Sequence, residues 1–149
     1  MKKLASVLVL MAVVGGGSAG EKEIRKALED AGVRESRCIV DKERRYDVLI
    51  FDGCRSTDAL LGELCELRLV LEALDLERSD VTDTGIATIK NLNDLKYLGL
   101  RLTAVTDIGL RQLEGLKGLQ FLDLYKCPSI TDEGVARLQK ALPKCQIVR

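Results

Sequence analysis

Apolar residues return along this chain with two different periods, and the two periods alternate. In "LEALDL", "LKYLGL" and "LQFLDL", leucine holds the first, fourth and sixth places: Leu71, Leu74, Leu76; Leu95, Leu98, Leu100; Leu119, Leu122, Leu124. The last two of each set flank one outward-facing residue, which is the alternation of a short strand. Further on, apolar residues stand four, seven and ten places after a threonine: Ile86, Ile89, Leu92; Leu110, Leu113, Leu116; Val135, Leu138, Ala141. That spacing marks one face of a helix. Corresponding leucines lie 24 residues apart, and the third threonine arrives one residue late because "YKCPSIT" is longer than "RLTAVT". One strand, one turn and one helix therefore make a unit that buries its apolar face only against its neighbours.

A weaker copy precedes these. "VLIFDGCRSTDALLGELCEL" assigns Val48 and Ile50 to the strand-leucine places, Thr57-Asp58 to the turn, and Leu61, Leu64 and Leu67 to the helix stripe. Leu60 stands where the other copies have glycine, a departure of the kind terminal repeats show.

Strand and helix are joined by a recurring hexapeptide, "VTDTGI", "VTDIGL" and "ITDEGV". The threonines at Thr57, Thr82, Thr106 and Thr131 can cap the helices that follow, and the aspartate beside each suits a helix N-terminus. Val81, Val105 and Ile130, with Ile86, Leu110 and Val135, can staple the turn to the core, and the glycines let adjacent turns approach closely. The rival is a metal ladder built on the aspartates, which would need strand-side carboxylates and waters to complete each coordination shell.

L-x-x-L-x-L followed by (I/V)-T-D-x-G resembles the leucine-rich repeat in its cysteine-containing variety, found also in F-box substrate receptors. "LDLYKCPSITDEGV" with Cys127 matches that variety, while Ser79 and Thr103 stand in the equivalent turns. Together with an apolar N-terminus and the ending "LPKCQIVR", the pattern is similar to small exported bacterial leucine-rich repeat proteins, over residues 46–149. The resemblance implies an α/β fold: a short right-handed βα horseshoe with a parallel concave sheet and convex helices. It implies a monomeric protein-binding module and no cofactor.

In such a solenoid the residues between the leucines face outward on the concave sheet. The outward columns read Asp47, Ala73, Tyr97, Phe121; then Leu49, Asp75, Gly99, Asp123; then Phe51, Glu77, Arg101, Tyr125. The chain has 3 Tyr and 2 Phe, and all but Tyr46 fall in these columns. Phe51, Tyr97, Phe121 and Tyr125, edged by Asp75, Glu77, Arg101 and Asp123, have the composition of a protein-binding patch. The plainer alternative is that exposed strand positions favour aromatic residues.

Composition narrows the chemistry. With 23 basic and 23 acidic residues and no basic stripe, nucleic acid is not the expected partner. There is no histidine, which removes the commonest general base and metal ligand. No serine motif or phosphate loop supports an enzyme either.

The N-terminus reads as an address. "MKK" is a basic start, residues 4–14 are an apolar run too short to span a bilayer, and "GGGSAGE" offers cleavage near Ala19 or Gly20. Cleavage would release a mature chain with no membrane span into the periplasm or outside the cell; retention as an anchor is the alternative.

Four segments follow: a signal over residues 1–20, an N-terminal cap over 21–45, about four repeats over 46–142, and a terminal strand over 143–149. The cap would carry Ile24, Leu28 and Ala31 on one helical face, then "RCIV" returning through a charged turn into "DVLIF". Five cysteines, Cys38, Cys54, Cys65, Cys127 and Cys145, are an odd number, so at least one stays unpaired within the chain. Cys54 and Cys127 would sit roughly 14 Å apart by strand spacing, too far for a bridge. The expected function is binding of a protein or peptide by the concave sheet. The alternatives are an F-box-like ubiquitin-ligase substrate receptor and a purely structural envelope protein.

Overall fold

A computed structural model describes residues 37–41, 46–50, 57–66 and 71–149. The signal segment, the helix expected over residues 21–32, Phe51 and Cys54 lie outside them. The described elements run β1 (Arg37–Asp41), β2 (Tyr46–Ile50), α1 (Thr57–Glu66), β3 (Leu71–Asp75), α2 (Asp83–Ile89), β4 (Tyr97–Gly99), α3 (Asp107–Leu113), β5 (Phe121–Asp123), α4 (Asp132–Ala141) and β6 (Gln146–Val148). The strands form one sheet in sequence order. β1 pairs antiparallel with β2, and every later pair is parallel. Each helix packs on the helix of the next repeat. This is a leucine-rich repeat solenoid, a parallel sheet backed by a row of helices. None of the described helices is long and apolar enough to cross a membrane.

The leucine lattice makes the core. Leu74, Leu98 and Leu122 are fully buried, as are Leu76, Leu100 and Leu124 one step further along. Ile86, Ile89, Leu110, Leu113 and Leu138 meet them from the helices. Each such side chain contributes about 1.5–3 kcal/mol on burial. α2 and α3 are shorter than the stripe suggests. They end at Ile89 and Leu113, and Leu92 and Leu116 sit in the following turns, where Leu116 is still fully buried. The apolar period thus continues past the helical hydrogen bonds. In the last repeat the side-chain amide of Gln139 donates to the carbonyls of Leu142 and Cys145, both at 3.0 Å, closing α4 over its exit.

Register confirms the outward columns for three repeats and corrects the first. Ala73, Tyr97 and Phe121 are aligned, and so are Asp75, Gly99 and Asp123. In β2, however, Leu49 is level with Leu74, and Val48 and Ile50 are level with Ala73 and Asp75. Val48 and Ile50 therefore do not hold the strand-leucine places, and Asp47 and Leu49 do not belong to the outward columns. The cause is a register irregularity between Asp47 and Val48, where one residue of β2 is passed by two of β3. A one-residue slip exchanges the two faces of a strand.

The strand-to-turn corner is also repeated. Arg78, Leu102 and Lys126 all have φ near +56°, at 56, 55 and 57° respectively. A non-glycine residue there costs about 1–2 kcal/mol. The next position is a buried small polar or thiol side chain in each repeat. Ser79 and Thr103 donate their hydroxyls to the carbonyls of Leu76 and Leu100, both at 2.7 Å, and the Cys127 thiol donates to Leu100 at 2.9 Å. Serine and threonine thus brace the carbonyl of their own strand, while the cysteine reaches back one repeat to the carbonyl that Thr103 also holds.

The Thr-Asp-x-Gly turn does two things at once. Thr82 and Thr106 accept from the amides of Thr84 and Ile108, and Thr131 accepts from Gly134 at 3.0 Å, so these three cap their helices as expected. α1 begins at Thr57, whose side chain lies outside the described part. The aspartates point across the repeat boundary. Asp83 accepts from the Thr106 amide at 2.8 Å, the Thr106 hydroxyl at 2.7 Å and the Gly109 amide at 3.0 Å. Asp58 takes the amide and hydroxyl of Thr82, and Asp107 those of Thr131, at 2.6–2.9 Å. The glycine is the seat for that carboxylate. A Cβ on Gly85, Gly109 or Gly134 would lie 2.2, 2.5 or 2.1 Å from the aspartate of the repeat before. At the far end Asp132 is met by the Arg149 guanidinium, whose other nitrogen donates to the Ile130 carbonyl at 2.7 Å.

Candidate functional site

The open face of the sheet carries three rows of side chains, one residue per strand. The row nearest the strand starts is apolar. Tyr97 and Phe121 stack with ring centroids 5.5 Å apart and planes within 6°, a separation close to the strand spacing itself. Parallel strands in register place both rings on the same level, and Ala73 next to them leaves one side of the stack uncrowded. Both rings are half-buried.

The middle row is Asp75, Gly99, Asp123. Each aspartate shapes its own corner, with the Glu77 amide donating to Asp75 at 3.1 Å and the Tyr125 amide to Asp123 at 2.9 Å. Gly99 between them is buried and has no side chain to offer. A Cβ there would meet Asp75 Oδ1 at 2.5 Å and the Tyr97 hydroxyl oxygen at 3.2 Å, so both polar groups gather over the Gly99 backbone.

The third row is balanced in charge. Arg101 Nε lies 3.9 Å from Glu77 Oε2, and its guanidinium sits 4.8 Å from the centroid of the Tyr125 ring. Lys126 approaches the same ring at 5.3 Å. Tyr125 is 40% exposed, so these cation–π contacts meet solvent and contribute about 0.5–1 kcal/mol each. Arg101 Nε is buried and has no hydrogen-bond partner among the described residues.

The field over the site is negative. Burial pushes the Tyr97 phenol above its ordinary value, and the charges of Asp75, Asp123 and Glu77 push it further, with Arg101 opposing. The ring therefore stays a neutral donor at any physiological pH.

Of the residues expected to form the patch, Asp75, Glu77, Tyr97, Arg101, Phe121, Asp123 and Tyr125 lie together on one face. Gly99, a member of the expected outward columns, lies among them, and Lys126, which the columns do not include, joins them at the Tyr125 ring.

Neither a protein-family model nor a curated protein matches the chain. Solved structures do match it. The likeness is to leucine-rich repeat proteins. One, from Leptospira interrogans, is 29% identical, with the match covering 59% of this chain and 21% of that one at a TM-score of 0.47. Another is an internalin from Listeria monocytogenes, 19% identical, covering 59% of this chain and 30% of that one at a TM-score of 0.43. The chain thus spans less than a third of either protein's length.

Proposed function

We propose that this leucine-rich repeat solenoid is a non-enzymatic binding module that holds a protein or peptide against its concave sheet, outside the cytoplasm. The Tyr97–Phe121 stack is the observation that carries the reading. The described apolar core is complete on the helix side without these rings. Two aromatics held half-exposed on an open sheet, rimmed by charge, have the make-up of a binding hot spot. The Thr-Asp pairs, by contrast, are used internally, by the turn that joins each repeat to the next.

Replacing both rings in Tyr97→Ala/Phe121→Ala removes a stacked pair worth about 1 kcal/mol beyond its area. The thermal melt followed by circular dichroism should shift by only a few degrees. Capture of a partner identified by crosslinking in the native envelope should be lost. Unfolding of the double variant would show that the rings are core and overturn the reading. Export rests on the basic start, the apolar run and the small residues before Glu21. N-terminal sequencing of the native protein should begin near Glu21; an intact Met1 in the cytosolic fraction would overturn it.

A further inference from the structure

The three rows of the open face are not equivalent in charge, and this points to the chemistry of the partner. The third row is internally matched, with Arg101 set against Glu77 and Tyr125. The first row is apolar. The middle row holds two carboxylates and no cation. Its centre is bare backbone at Gly99, over which Asp75 and the Tyr97 hydroxyl gather. Asp75 and Asp123 stand two strands apart, roughly 9.6 Å by the spacing of parallel strands. The turn contacts to Glu77 and Tyr125 both use Oδ1, and the second oxygen of each takes no hydrogen bond from a described residue.

We propose that the concave patch takes an extended basic peptide, one Lys or Arg side chain lying along the Tyr97–Phe121 stack with its charge over Gly99 between Asp75 and Asp123. This rests on the concave-face reading above and adds to it the charge of the occupant. With Ala73 beside it, Tyr97 keeps the outer face of its ring open, and that face can receive the aliphatic stem and the cation, a contact that favours Lys and Arg over neutral residues. Asp75 and Asp123 supply the opposite charge, and the Tyr97 oxygen supplies a further acceptor. An acidic peptide would meet the same carboxylates with the wrong sign, since Arg101 is already turned to Glu77 and Tyr125.

The test uses the full chain and a random dodecapeptide library displayed on phage. Binders are selected on the native protein and counter-selected on Tyr97→Ala/Phe121→Ala. The selected sequences should carry a Lys or Arg flanked by apolar residues. Their affinity should fall about tenfold in Asp75→Asn/Asp123→Asn, and should weaken as salt rises. Asparagine keeps the acceptor oxygen that each corner needs, so these variants retain the turn bonds and should melt with the native protein.

Binders that need Phe121 but carry no basic residue, and are indifferent to the asparagine variants, would overturn the charge assignment and leave the concave reading standing. Loss of every binder at the counter-selection step, so that all sequences that hold the native protein hold the ring-deleted protein as well, would overturn both. A concentration-dependent dimer in sedimentation that Phe121→Ala abolishes would make a second copy of the chain the occupant, and would overturn the proposal.

Discussion

Two sets of aspartates recur in this solenoid, and they have opposite fates. Asp58, Asp83 and Asp107 lie at the helix starts, and each is consumed by the backbone and hydroxyl of the threonine in the next repeat. Asp75 and Asp123 lie on the open sheet, where each uses one oxygen to shape its own corner and crosses no repeat boundary. The first set joins neighbours; the second leaves charge on the surface. An acidic residue in a repeat protein is thus read by what the adjacent repeat brings to it, and a carboxylate the neighbour does not satisfy is available to a partner.

The sharpest way to break this contrast is to delete one member of each set. Asp83→Ala removes three charge-assisted acceptor bonds and strands the Thr106 and Gly109 amides, and should cost about 3 kcal/mol in urea unfolding. Asp123→Asn keeps its corner bond and should cost less than about 0.5 kcal/mol. Equal losses in the two variants would show that the sets do not differ. A smaller effect comes from acid. The amide and hydroxyl of Thr131 hold the Asp107 carboxyl below its ordinary value, helped by Arg111 and Arg137 and opposed by slight burial. A depressed pKa in the fold means that this contribution is present above the ordinary carboxylate range, near pH 4, and is lost as pH falls through the depressed value. Asp107→Asn should therefore flatten the acid limb of the stability curve below about pH 4, and an unchanged limb would remove Asp107 from the joining set.

Much of the fold was legible because leucine spacing needs no tertiary knowledge. Leu74, Leu98 and Leu122 fall where a 24-residue period places them. Val48, Leu49 and Ile50 were misassigned because an unbroken apolar run satisfies either face of a strand, and the irregularity beside Asp47 chooses between them. Leu92 and Leu116 read as helical in the sequence because the apolar period continues after the helices end at Ile89 and Leu113. The patch residues of the three clear repeats followed from register once the turns were placed.

The joining role of the aspartates was the feature missed, since their partners lie one repeat on and the local reading as helix-start charges was sufficient by itself. A signal existed. Leu60 replaces glycine in the one copy that no Thr-Asp precedes in the sequence. Read together, the pair says that the glycine serves the aspartate of the repeat before it.

The joining contacts also have a direction. Asp58, Asp83 and Asp107 each reach toward the C-terminal side and are received by Thr82, Thr106 and Thr131, and the series ends with Asp132 against Arg149. A chain leaving the ribosome makes its N-terminal units first. Each newly emerged segment then finds its docking carboxylate already in place on the unit before it, and order can spread along the molecule in the same sense as synthesis.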